Sequence, residues 1–109
     1  MTYLSPNAII ARAKLTQYLL VPLAQDDKSK YLAKGGYSLD NWQQLEKDIR
    51  EQILSRKATL IETTKFGQKY EIRGNLIGPN GVSLPVLTVW MRTPRETKFV
   101  TLVPDKKRR

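Results

Sequence analysis

The sequence predicts an α+β domain in which two or three N-terminal helices pack on one face of a four-stranded antiparallel meander. Three observations predict it. Apolar residues recur three or four apart up to about Lys57 and alternate at spacing two beyond it. The second half is a series of β-branched stretches separated by short turns rich in Gly, Pro and Asn. The chain has 109 residues, 40% of them apolar and 27% charged, which is the size and balance of one unit around one core. That unit is expected over residues 1–104, with 105–109 as a basic C-terminal tail.

A first helix is expected over about Ala11 to Leu20, where Leu15, Tyr18 and Leu19 share a face and Pro22 ends the run. Between Gln25 and Gly36, Tyr31 and Leu32 predict one short helical turn that touches the core and stops at Gly35 and Gly36. The clearest helix runs from about Leu39 to Leu54. Ser38 is placed to accept from the first-turn amides, Asp40 complements the dipole, and Trp42, Leu45, Ile49 and Ile53 form the stripe to be buried.

Four strands follow: Ala58 to Thr64, Lys69 to Ile77, Leu84 to Arg92, and Lys98 to Val103. They are joined by Lys65-Phe66-Gly67, by Gly78-Pro79-Asn80-Gly81 and by Thr93-Pro94-Arg95, turns whose residues preset or tolerate the needed dihedrals. Alternation assigns Tyr70, Ile72 and Leu76, then Leu87, Val89 and Met91, then Val100 and Leu102 to the core face. The opposite face then gathers Lys69, Glu71, Arg73 and Asn75, then Thr88, Trp90 and Arg92, then Phe99 and Thr101.

Composition narrows the chemistry. The chain has neither cysteine nor histidine, which removes thiolate catalysis, thiolate zinc sites and the usual base near neutral pH. No metal or other cofactor is expected: the acids are scattered, and the one adjacent pair, Asp26 and Asp27, lies beside Lys28 and Lys30. No phosphate-cradling glycine loop is present. Apolar runs are too short to span a bilayer and no export leader is apparent, so a cytoplasmic protein without membrane contact is expected. Net charge is +9, from 19 basic and 10 acidic residues, and a field of that sign attracts polyanions.

An aromatic ring among cations suits RNA, since rings stack on bases and cations hold phosphates. Trp90, Thr88, Thr101, Lys69 and Lys28 are therefore the expected RNA contacts. Metal-free cleavage through the ribose 2′-hydroxyl needs a base and cations, for which Glu71, Arg73, Arg92 and Lys30 are the candidates.

The ordered motifs Ala13-Lys14-Leu15-Thr16-Gln17-Tyr18-Leu19-Leu20, Lys28-Ser29-Lys30, Gly36-Tyr37, Phe66-Gly67-Gln68-Lys69-Tyr70, Gly78-Pro79-Asn80-Gly81, Thr88-Val89-Trp90 and Val100-Thr101-Leu102-Val103-Pro104 resemble a bacterial family of unknown function. That family includes small free-standing proteins and C-terminal toxin-associated domains. The helices-then-strands order is also similar to barnase, colicin nucleases and RelE-type interferases, although no histidine matches the acid that barnase uses. The resemblance implies that the polar sheet face is where RNA binds, and the leading expectation is an RNA-binding domain that can act as a toxin-like, metal-independent endoribonuclease. The alternative is a non-enzymatic module that binds an acidic antitoxin or immunity protein, or nucleic acid without cleavage, and that forms a homodimer.

Overall fold

A computed structural model describes residues 2–25 and 27–105. Helix α1 (Arg12–Lys14) runs directly into a π-helical segment, Leu15–Leu19, and α2 is the short Ser29–Ala33. A 3-10 turn, Leu39–Asn41, leads into α3 (Trp42–Asp48), which continues as π-helix over Ile49–Leu54. Then come β1 (Thr59–Thr64), β2 (Gly67–Ile77), β3 (Ser83–Arg92) and β4 (Thr97–Pro104) in one antiparallel sheet of order β1-β2-β3-β4. The α+β layout with helices preceding a meander is as the periodicity predicts.

Local chemistry explains the helix starts and stops. Ser38 accepts from the Asp40 amide while Asn41 accepts from the Ser38 amide, a reciprocal cap that frees no polar group at the entry to α3. Ser29 donates its N–H and hydroxyl to Asp27 at the start of α2; these bonds hold the Asp27 carboxyl below the usual carboxylate range. Gly36 leaves α2 at φ 94°, a left-handed conformation that favours glycine. Nearby, Gly78 lies so close to the Gly35 backbone that a Cβ would meet the Gly35 carbonyl at 1.9 Å.

Leu45, Ile49 and Ile53 are buried against the sheet, as their spacing predicts, and Trp42 packs at the margin with the Arg12 guanidinium 4.9 Å from its ring centre. Among these apolar groups one polar pair is enclosed: the Tyr37 hydroxyl donates to Asp48 at 2.5 Å, and Gln44 donates to the other Asp48 oxygen at 2.8 Å. Burial and the neighbouring carboxylate push the Tyr37 phenol far above its ordinary ionisation range. Gln52 acts as a substitute strand, exchanging two hydrogen bonds with the main chain of Ile77, beyond the point where β1 stops pairing.

The phase of β3 corrects the expected faces. Tyr70 pairs with Trp90, Ile72 with Thr88, Gly74 with Val86 and Leu76 with Leu84, and these side chains form the helix-covered face. Leu87, Val89 and Met91, expected in the core, stand partly exposed on the open face opposite Arg73, Glu71 and Lys69. The physical reason is hydrogen-bond satisfaction. Trp90 Nε1 donates to Thr88 Oγ1 at 2.8 Å, and that hydroxyl donates to the Ile72 carbonyl at 3.1 Å, so both polar side chains can be buried without loss. In β4 a register shift between the partners of Val89 and Trp90 makes Val100 the extra residue, so Phe99 and Leu102 are both buried. Phe99, expected on the open face, meets the Trp90 ring edge-on at 5.2 Å.

Asp105, expected to open the tail, is instead buried, with its N–H on the Pro85 carbonyl. The remaining residues of that expected tail, 106–109, and Asp26 lie outside the described residues.

Candidate nucleic-acid interface

The expected catalytic residues do not converge. Glu71 and Arg73 do share the open face, with Arg73 Nη2 3.9 Å from Glu71 Oε1. The closer partner of Arg73 is Asp105, at 2.7 Å, and this bond raises the guanidinium further above its ordinary range. Lys69, on the same face, pairs with Glu62 at 3.5 Å. Arg92 lies in the phase of Trp90: it donates to the Tyr70 hydroxyl and to Gln68, with its guanidinium 4.7 Å from the Tyr70 ring centre. Lys30 is exposed on α2. A base and three cations around one scissile phosphate, as metal-free cleavage demands, are therefore not assembled.

Trp90 and Thr88 likewise leave the expected binding set. Trp90 is 0% exposed beneath the helices, so its ring offers no stacking surface. The misplacement follows from the phase of β3 described above.

Lys28 and Thr101 do come together, at a place composition alone did not indicate. A cleft of about 650 Å³ opens between the α1 segment, the approach to α2 and the outer edge of β4. Its polar lining is Lys14, Gln17, Tyr18, Lys28 and Thr101, and its apolar lining is Ala11, Ala13, Val100 and Val103. This volume is in the range of ordinary ligand sites. Lys28 is only 8% exposed and donates to the Tyr18 hydroxyl at 2.6 Å, with its ammonium 4.8 Å from that ring's centre. Thr101 Oγ1 approaches the same hydroxyl at 3.5 Å.

Among the described residues no carboxylate lies within 4.0 Å of the Lys28 ammonium. Removing an ammonium from water is costly unless an anion compensates, so a lysine held this way on a cleft wall favours an anionic occupant. Sequence reasoning missed Gln17 and Lys14 because each reads as the polar shoulder of an amphipathic helix, and missed Tyr18 because its spacing assigned it to the face to be buried. The available signal was Tyr18 itself, one residue from the buried Leu19 and therefore at the margin of the helix's buried face.

The geometry thus defines a basic α+β domain with a mixed apolar and cationic cleft at one sheet edge. Residues 5–106 match the family described as domain of unknown function DUF6883, and the chain belongs to that family. No curated protein and no solved structure matches the chain.

Proposed function

We propose that this domain is a non-cleaving RNA-binding module whose cleft seats one nucleotide unit of the strand. The observation that carries the reading is the buried Lys28 ammonium facing the cleft without a carboxylate among the described residues. Lys28 and Lys14 take the phosphate, Val100, Val103 and the two alanines take the apolar faces of the base, and Gln17 and Thr101 supply polar contacts to the sugar. The net charge of +9 adds attraction to the rest of the strand. The scattering of Glu71, Arg73, Arg92 and Lys30 favours binding over cleavage, and the absence of cysteine suits a cytoplasmic setting.

Fluorescence anisotropy with a labelled single-stranded RNA tests the proposal. Binding weakens with salt, the logarithm of affinity falling by about 0.7 per phosphate held for each log unit of salt. Lys28→Met lowers affinity by about tenfold or more, the loss of one charge-assisted hydrogen bond. Lys47→Ala, an exposed cation on α3, changes it little. Equal affinities for wild type and Lys28→Met, or capture of an acidic protein in preference to RNA, overturn it. Release of shortened RNA in EDTA restores the ribonuclease reading.

A further inference from the structure

We propose that the outer edge of β1 pairs antiparallel with the same edge of a second copy of this chain, joining two sheets into one of eight strands. The inference is independent of RNA binding, because the cleft lies at the opposite edge of the sheet, beside β4.

Three observations support it. Among the described residues, main-chain bonds from the outer side of this edge stop at Ala58, whose N–H goes to the Thr2 carbonyl; Leu60 to Thr64 bond only toward β2. An edge of this kind is a template for another strand. Leu60 is 47% exposed, Ile61 46% and Phe66 72%, and the three lie on this strand and its hairpin tip. A register shift between Leu60 and Glu62 makes Ile61 the extra residue, and both Leu60 and Ile61 are exposed.

Charge selects a second copy as the occupant. In a chain of net +9, the stretch Ala58 to Thr64 carries a single charged side chain, Glu62, so the strand itself adds no like-charge repulsion between two basic molecules. A strand whose one charge is negative is also a poor seat for a nucleic acid. Antiparallel pairing centred on Thr63 sets Glu62 opposite Thr64 of the second copy and carries Leu60 toward the hairpin tip of that copy, where Phe66 is exposed. Glu62 is more than half exposed beside Lys69.

Size-exclusion chromatography with light scattering, run without RNA, tests the pairing. The expected mass is twice the 12.5 kDa of the chain, and Leu60→Lys with Ile61→Lys returns it to the single-chain value with an unchanged circular dichroism spectrum. Because the chain has no cysteine, Thr63→Cys gives a second readout that perturbs no apolar contact: oxidation crosslinks it to its own copy, while Ser55→Cys stays uncrosslinked. A single-chain mass at the highest soluble concentration, a dimer indifferent to both lysine substitutions, or equal crosslinking at the two cysteine positions overturns the proposal.

Discussion

The two outer strands of the sheet handle the same problem, main-chain groups without a neighbour, in opposite ways. At β4 the Ile9 N–H donates to the Thr97 carbonyl and the Phe99 N–H to the Ile9 carbonyl, the α1 segment lies alongside, and Phe99 and Leu102 reach into the core. At β1 the main-chain groups on the outer side between Leu60 and Thr64 meet no further strand among the described residues, and exposed aliphatic side chains stand beside them. The contrast teaches that one strand is built into the packed core while the other is an attachment, and that exposure of an edge follows from which elements precede it in the chain. Residues before α1 run back along β4, and Arg50 holds them there by donating to the Ala8 carbonyl at 2.7 Å.

Four outcomes test or refine this contrast. The largest is expected at β4: Phe99→Ala removes the ring that meets Trp90 and costs about 3–5 kcal/mol in urea unfolding. Next, Tyr37→Phe strips the Asp48 carboxylate of a buried donor and costs about 1–3 kcal/mol. The same residue sets an alkaline limit on stability. Folding favours the neutral phenol, so its contribution is complete below the ordinary tyrosine value of about 10 and is lost as pH rises above it. Thermal melts followed upward from neutral pH show that decline in wild type and a shallower one in Tyr37→Phe.

At the cleft beside β4, Lys28→Met is expected to leave stability unchanged or raise it by about 1–2 kcal/mol, since the removed ammonium has no carboxylate among the described residues. A large loss would mean that Lys28 is a structural strut and would separate the cleft from any ligand role. The smallest effect belongs to β1: Leu60→Thr changes the stability of the single chain by no more than about 0.5 kcal/mol. A Leu60 cost approaching that of Phe99 would erase the distinction between the two strands.

Much of the fold was legible because it rests on short-range periodicity. The stripe Leu45, Ile49 and Ile53 and the alternation of Tyr70, Ile72 and Leu76 each name a buried face without reference to another element. The phase of β3 was not legible from composition, since Leu87, Val89 and Met91 look more apolar than Thr88 and Trp90. Counting across the hairpin gives the right answer: with Ile77 opposite Ser83, even-numbered residues of β2 face even-numbered residues of β3, and Tyr70 must meet Trp90. The extra residue in β4 leaves no mark in the sequence, so Phe99 was misassigned. Of the site, Lys28 and Thr101 were found for their chemistry, but their meeting depends on Tyr18, which lies 10 residues from Lys28 and 83 from Thr101.

The short Ile9 bridge has a consequence for assembly. A sheet with two available sides can recruit copies without limit and grow into a fibre. Here one side is already occupied by the chain's own residues, so any growth at the other ends after one addition, and the product is a closed object of fixed size. Under the proposed β1 pairing, displacing that bridge, for instance with Ile9→Pro, would remove the terminator and allow the dimer to polymerise.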